Sequence, residues 1–149
     1  MKGNILKILA VSGCVISCSP AHTLFVKNNT NERLDFFVEL KEKSQVKELL
    51  ICKELVPDEK LESKAFINYY KEGKCYHQAI NAINNKSYKF TLPVNYTINI
   101  APNNSVYPFK AIYYMRGDIK CFINMGTSAD CRQKTSQQPG LVNITEILE

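Results

Sequence analysis

Alternating apolar and polar residues in the second half of the chain limit the possible fold more strongly than any other feature. The alternation runs through residues 88–92, 94–100 and 141–148. Alternation over this length is typical of a strand with one face buried and the other in water. Pro93 separates the first two segments because proline cannot donate a hydrogen bond to a sheet ladder. The chain is therefore predicted to fold mainly as β-sheet.

Two pairs of segments read as hairpins. Residues 22–27 and 34–40 flank an asparagine-rich stretch, and asparagine tolerates the backbone angles of tight turns. Residues 109–115 and 119–125 flank Arg116-Gly117-Asp118, a compact loop with glycine at its centre. Both pairs are predicted to form antiparallel strands.

Other segments are less clearly patterned. Residues 65–70 and 75–80 could form a third hairpin, although 79–83 would also fit one turn of helix. Residues 41–56 fit an amphipathic helix or a buried strand, and this alternative stays open at the level of sequence. Residues 126–140 are polar and are predicted to form a long loop held by Cys131.

The spacing of these segments favours one architecture. About seven or eight short strands with at most one short helix indicate an all-β, antiparallel β-sandwich of immunoglobulin-like or transthyretin-like kind. The chain has no tryptophan, so the tryptophan-on-disulfide core of true immunoglobulin domains is missing. A length of 149 residues allows one domain.

The first 21 residues have the composition of an export signal. Lys2 and Lys7 give a positive start, no acidic residue occurs before Glu32, and residues 8–16 are an apolar run. This run is shorter than the roughly 20 apolar residues of a membrane-spanning helix. A positive start before a short apolar run is typical of a signal peptide. The chain is therefore predicted to be exported.

The apolar run ends in Val15-Ile16-Ser17-Cys18. An aliphatic residue, a variable position and a small residue before a cysteine resemble the lipobox of bacterial lipoprotein precursors. This resemblance implies cleavage before Cys18, acylation of Cys18 and a membrane anchor at the new amino terminus. Ser19, in place of aspartate, resembles the pattern of lipoproteins sorted to the outer membrane, where the domain would face the periplasm.

The resemblance also sets the expected boundaries. Residues 1–17 would be the signal peptide, 18–22 the acylated tether and 23–149 a single sandwich domain. Two alternatives stay open: Cys14 follows a similar motif, and cleavage after Ala21 would give a secreted protein instead.

The remaining cysteines are even in number and lie in a chain predicted to enter an oxidising compartment, which favours disulfides. Of the three possible pairings, Cys121–Cys131 with Cys52–Cys75 is favoured because the first pair closes a short loop. A zinc site is disfavoured, since the chain contains no C-x-x-C pair and has only two histidines. No metal and no other cofactor are predicted.

The composition and motifs do not favour catalysis or nucleic-acid binding. The formal charge is +5, but basic residues are interspersed with acids and form no stripe suited to phosphates. Cys75 and His77 would share a strand face, as a thiolate–imidazole pair requires, yet a structural disulfide explains Cys75 better. The chain has no serine-hydrolase, metalloprotease or phosphate-loop motif. We therefore predict a non-enzyme without a small-molecule substrate.

Tyrosines on predicted strands are the candidate binding residues. In an adjacent pair, one ring should point into the core and the other outward, where tyrosine can anchor a partner. The candidate binding residues are Tyr69 and Tyr114, as outward rings of such pairs, together with Arg116 and Asp118 of the hairpin loop. Arg-Gly-Asp also occurs in integrin-binding proteins, although a hairpin loop of this composition needs no receptor to explain it.

These observations predict a lipid-anchored envelope protein that binds another envelope protein as an assembly subunit. In plan it is similar to the small lipoproteins of bacterial secretion machines, including the sandwich-fold lipoprotein of type VI systems. One alternative is a periplasmic inhibitor of a lysozyme-like enzyme, which would insert residues 126–140 into a cleft. A secreted host-interaction factor is the other alternative.

Overall fold

A computed structural model describes residues 22–61, 63–104, 108–123 and 129–149. Over these residues the chain forms eleven strands, one α-helix and a 3-10 turn at Asp58–Lys60. The strands and helix, in chain order, are β1 His22–Asn29, β2 Leu34–Leu40, β3 Glu48–Cys52, α1 Ser63–Lys71, β4 Cys75–Ala79, β5 Asn81–Asn84, β6 Ser87–Leu92, β7 Thr97–Asn104, β8 Phe109–Arg116, β9 Ile119–Phe122, β10 Gln133–Gln138 and β11 Val142–Leu148.

The strands form two sheets. Sheet A has the order β10-β11-β1-β7-β3-β4, and sheet B has the order β5-β6-β2-β8-β9. The β1–β11 pair is parallel, and the other strand pairs are antiparallel. The predicted all-β sandwich is thus confirmed. The strand number is higher than predicted because residues 81–84 and 133–138, which were not predicted as strands, form β5 and β10.

Alternating residues from both sheets fill the space between them. On β2, Phe36 and Val38 are fully buried, and Phe36 stacks on Phe90 of β6 with ring centroids 5.1 Å apart. On β7, Ile98 and Ile100 fill the other side of the core. β2 therefore buries the apolar half of its alternating pattern against the facing sheet, as two packed sheets require.

The outer face of sheet A is covered by the chain itself. Residues 53–74, here called the cap segment, connect β3 to β4 across this face. Phe66 and Tyr69, three residues apart on α1, point toward the sheet, and Phe66 contacts Phe25 of β1 edge-on at 4.9 Å. At the base of the segment, Cys52 and Cys75 occupy directly opposite positions on β3 and β4 and form a disulfide.

A buried ion pair also holds the cap segment. The Lys27 side chain on β1 is 6 % exposed, and its ammonium donates to Asp58 in the 3-10 turn. The Ser136 hydroxyl on β10 donates to the other carboxylate oxygen at 2.8 Å. Burial disfavours the charged carboxylate, but the bonds from Lys27 and Ser136 and the charge of Lys27 outweigh it, so the pKa of Asp58 is lowered from 3.8.

A buried asparagine joins the two sheets where β1 ends. The Asn28 side chain is 0 % exposed, and its amide donates to the carbonyls of Glu32, Leu92 and Pro93 at 2.9–3.1 Å. These carbonyls belong to the β1–β2 connection, to the last residue of β6 and to the turn that follows it. Asn28 thereby satisfies the buried carbonyl of Leu92 and two partly buried carbonyls at this end.

Several local predictions were wrong. β1 and β2 do not form a hairpin, because residues 30–33 carry the chain from sheet A to sheet B. Residues 65–70 lie in helix α1 rather than a strand. The predicted loop 126–140 contains the edge strand β10, which pairs with β11. The sequence left helix and strand open for residues 41–56, and the structure forms strand β3 within this range.

Other predictions are confirmed. β8 and β9 form a hairpin around Gly117 and Asp118, and Gly117 adopts a φ of +57°, which favours glycine. Both favoured disulfides are present, Cys52–Cys75 and Cys121–Cys131. Cys14 and Cys18, with the rest of the predicted signal and tether up to residue 21, lie outside the described residues.

Candidate functional site

The two sheets differ most in how far their outer faces are covered. Within the described part of the chain, the elements that lie outside the two sheets are α1 and the 3-10 turn, and both pack on sheet A. The outward residues of β2, β6, β8 and β9 are accordingly partly or fully exposed. We call this surface the open face.

An aromatic row crosses the centre of the open face. Register places Phe37 of β2 opposite Tyr113 of β8, and Tyr113 opposite Phe122 of β9. The Phe37 and Tyr113 rings are stacked with centroids 5.1 Å apart, and Tyr113 and Phe122 are 5.6 Å apart. Three partly exposed rings on neighbouring strands form one continuous apolar band. Such cross-strand aromatic pairs also fix the rings in place.

Charged side chains border this band. The Lys120 ammonium lies 3.7 Å from the centroid of the Tyr113 ring and 5.1 Å from that of Phe122, in cation–π geometry. Lys110 pairs with Glu39 at 3.6 Å. The band therefore has an apolar centre and a polar rim, which is the distribution found in protein–protein interfaces.

A small pocket adjoins Phe37 on the open face. Its volume is about 150 Å³, and it is lined by Asp35, Phe37, Asn81, Lys89, Phe90 and Thr91. The Thr91 hydroxyl donates to the Asp35 carboxylate at 2.6 Å, which orients that carboxylate. Pockets that enclose small organic ligands measure about 300–1,000 Å³. This pocket suits a single inserted side chain better than a whole ligand.

A second depression lies at the end where β1 stops. Its volume is about 550 Å³, and its lining is mainly polar, with Asn29, Asn31, Asn95, Arg132 and Glu149 among the residues. Small-molecule sites are lined mainly by apolar and aromatic side chains. This depression lacks that lining, so it carries no functional assignment.

The structure corrects the choice of tyrosines. Tyr114 is 0 % exposed and Tyr69 is 5 % exposed, so neither ring is available to a partner. Burial raises the pKa of both hydroxyls above 10.0. Tyr114 packs against Phe36 in the core, and the outward ring of its pair is Tyr113. Tyr69 lies on a helix rather than a strand, where it faces sheet A.

Arg116 and Asp118 differ in their surroundings. The Arg116 guanidinium is bound within the protein: Nε lies 3.2 Å from the Glu32 carboxylate, and Nη1 donates to the carbonyls of Asp130 and Leu148. Arg116 therefore ties the hairpin to neighbouring loops. Asp118 is exposed beside Gly117. The loop does not present both charges as free groups.

The residues considered for catalysis are not arranged for it. Cys75 is bonded to Cys52, so it supplies no thiolate to His77. His77 lies on the surface, with Nδ1 3.3 Å from the Glu48 carboxylate. In the described ranges, no three or more histidine, cysteine or acidic side chains are grouped as metal ligands. In the same ranges, no helix is both long enough and apolar enough to cross a membrane.

Sequence reasoning missed the aromatic row, although a signal for it was present. A two-residue loop at Gly117 and Asp118 fixes the hairpin register, which places Tyr114 opposite Cys121. Because Cys121 is bonded to Cys131 on the buried side, Tyr114 must also point inward. Tyr113 and Phe122 then point outward together. The disulfide and the loop length together identify the exposed rings.

The comparisons with known proteins add no assignment. No family model, curated protein or solved structure gives a significant match to this chain. The functional argument therefore depends on the geometry described above.

Proposed function

We propose that this protein is a non-catalytic, lipid-anchored envelope subunit that binds another protein through the open face of sheet B. The observation that carries the proposal is the row of Phe37, Tyr113 and Phe122, which lies partly exposed while the opposite sheet is covered by its own cap segment. Aromatic residues that are held rigidly on strands contribute large contact area at low entropic cost.

The compartment follows from two kinds of observation. The two disulfides indicate an oxidising, extracytoplasmic environment. The lipobox-like sequence ending in Cys18 supports the finer proposal, an acyl anchor in the outer membrane. Mass spectrometry of the mature amino terminus tests it: a chain that begins at an acylated Cys18 supports the anchor, and a chain that begins at His22 supports secretion.

Partner binding is tested by capture and then by affinity. Tagged full-length protein is recovered from detergent-solubilised membranes of the source cell, the co-purifying protein is identified, and its Kd is measured with the purified components. Replacing Tyr113 with serine is expected to weaken binding by at least about 30-fold, the effect of removing a central aromatic anchor.

The matched control is Tyr76→Ser. Tyr76 is also an exposed strand tyrosine, with 37 % exposure, but it lies on β4 of sheet A. The control variant should bind as the native protein does. Equal losses in both variants, or no loss for Tyr113→Ser, would show that the open face is not the binding surface.

The proposed inhibitor function receives no support from the loop on which it depends. Within 126–140, residues Gln133–Gln138 form an edge strand of sheet A. An inhibitor loop would need to project from the scaffold into a cleft, so we do not carry this function forward.

A further inference from the structure

The two ends of the sandwich differ in charge, and the chain enters the fold at the more basic end. β1 begins at His22, opposite Asn104 at the end of β7, and close to the start of β11. β1 stops at Asn29, and after four connecting residues β2 begins at the same end in the other sheet. The end of β2 at Leu40 therefore lies at the His22 end. We call this the tether end.

The connections at the tether end carry four exposed lysines. Residues 41–47 join β2 to β3, and residues 85–86 form the turn between β5 and β6. Together they contain four lysines and one acid, Glu42, a net charge of +3. In the described residues, none of these lysines is within ion-pair distance of a carboxylate. The lysines are Lys41, Lys43, Lys47 and Lys86.

The far end of the sandwich has the opposite balance. Its connections 30–33, 93–96, 117–118 and 129–132, with Glu149, hold two arginines and four acids, a net charge of −2. The cap segment, which leaves β3 and returns to β4 at this end, has equal numbers of lysines and acids and adds no net charge. The positive charge of the tether end is thus a local property and does not follow from an evenly basic surface. A one-sided distribution of this kind orients a protein in an external field.

Backbone hydrogen bonds hold the lysine-bearing connections together. Ser44 N–H donates to the carbonyl of Asn85 at 2.8 Å, and Leu40 N–H donates to that of Lys86 at 2.9 Å. The Lys86 ammonium also donates to the carbonyl of Lys41 at 3.4 Å. These bonds join residues 41–47 to the 85–86 turn in one surface. The backbone that carries these lysines is therefore ordered before any ligand arrives, which reduces the ordering cost of binding.

We propose that the tether end binds the anionic phospholipid surface of a bilayer. The inference uses the lipid anchor of the proposed function for its geometry. Three residues separate Cys18 from His22, so the tether spans at most about 14 Å when fully extended. An anchor at Cys18 would hold the lysines close to the headgroups, where the screening length is about 8–10 Å. An acyl chain combined with a basic surface is a common two-part membrane attachment.

This binding mode has a structural consequence. With the tether end on the bilayer, the strands extend away from the membrane. Neither outer sheet face then lies against the bilayer. The open face of sheet B then stays accessible to a partner in the surrounding compartment. Membrane docking and partner binding would use different surfaces of the same domain.

The test measures partitioning of the full-length chain carrying Cys14→Ser and Cys18→Ser, which removes both candidate acylation sites. Vesicles of phosphatidylcholine alone are compared with vesicles that contain about one-third phosphatidylglycerol. Titration of lipid gives a partition coefficient for each vesicle type, and their ratio isolates the response to lipid charge. The amino-terminal residues are the same in every protein compared, so their contribution cancels between variants.

Two four-lysine variants of this chain are compared, each with lysine replaced by glutamine. The first replaces Lys41, Lys43, Lys47 and Lys86. The second, which is matched in charge, replaces four exposed lysines elsewhere, namely Lys53, Lys60, Lys71 and Lys134. Circular dichroism establishes that both variants are folded.

A lysine at an anionic membrane surface contributes about fivefold to partitioning. The first variant is therefore expected to lower the partition ratio at least about tenfold, and the second by less than about twofold. Salt at about 1 M should abolish the difference by screening. Equal losses of the partition ratio in the two variants would show an effect of net charge alone. An unchanged ratio in both variants would show that this end does not bind lipid and would point to an acidic protein as its ligand. Either result overturns the proposal.

This test is independent of the other proposals. The chain used has no acyl group, and its open face is unchanged. A negative result would therefore leave the anchor and the partner-binding surface untouched. Conversely, finding no acyl chain on Cys18 would refute the anchor without changing the measured response to lipid charge.

Discussion

Replacing Asp58 with asparagine should destabilise the protein by leaving the Lys27 ammonium buried without a charged partner. Lys27 lies on a central strand of sheet A beneath the cap segment, and its side chain is 6 % exposed. In the native protein the carboxylate accepts from both Lys27 and the Ser136 hydroxyl. Asparagine is similar in shape and keeps one acceptor oxygen, so the change removes mainly the charge.

The size of the effect follows from the exposure of the two partners. Removing one member of a fully buried ion pair costs about 3–5 kcal/mol. The Asp58 side chain is 35 % exposed, so water already solvates part of this pair. We therefore expect a loss of about 2–3 kcal/mol in the free energy of unfolding. For a domain of this size, such a loss lowers Tm by about 6–12 °C.

The assay is urea unfolding with both disulfides oxidised, followed by far-ultraviolet circular dichroism and by tyrosine fluorescence. Tyrosine is a suitable probe because the chain has eight tyrosines and no tryptophan. Coincident transitions from the two probes would justify a two-state treatment. The neighbouring change Glu59→Gln is the control, since Glu59 is exposed in the same turn and its loss should cost less than about 0.5 kcal/mol.

A double-mutant cycle decides whether the pair itself is responsible. Lys27→Met removes the buried charge, so Lys27→Met combined with Asp58→Asn should be more stable than the sum of the single changes predicts, by at least about 1 kcal/mol. The reasoning is refuted if Asp58→Asn costs no more than Glu59→Gln, or if the two changes at the pair are additive.

Acid, the disulfides and Asn28 should also affect stability in specific ways. The folded pKa of Asp58 lies below 3.8, so the contribution of this carboxylate to the free energy of unfolding is present above that value and is lost as pH falls through the folded pKa. The difference in stability between the native protein and Asp58→Asn should therefore close in acid. Urea unfolding across the pH range measures it. Replacing both Cys52 and Cys75 with alanine should cost about 3 kcal/mol, since the disulfide restricts the unfolded chain; an unchanged Tm would contradict this. Asn28→Ala should cost about 2–3 kcal/mol because buried carbonyls lose their donor, whereas Asn29→Ala, at an exposed position, should change the urea midpoint little.

Much of the fold could be predicted from local patterns. Alternation identified β6, β7 and β11, and Gly117 identified the β8–β9 hairpin, because these features depend on a strand's own two faces and on one turn. The cysteine spacing favoured both disulfides. The strand start at β7 was less well defined, since Val94 and Asn95 form a turn in which Asn95 has a φ of +61°.

The aromatic site was only half predictable. The pair Tyr113-Tyr114 indicates that one ring points outward, but both residues are equally apolar and the pattern alone does not choose between them. The choice depends on which residue faces Cys121 and the core beneath it. The burial of Tyr69 was likewise not local, because its helix is stabilised by packing against Phe25 and the rest of sheet A.

The sequence by itself determined that the chain forms strands, where most of them lie and that its first 21 residues resemble an export signal, and it favoured one of three cysteine pairings. Only the tertiary structure decided that β1 and β2 belong to different sheets, since a four-residue connection can close a hairpin or cross a sandwich. That choice is made by the pairing of β1 with β7 and β11, which are distant in sequence. The same long-range pairing leaves one sheet covered and the other open, and therefore determines which aromatic rings a partner can reach.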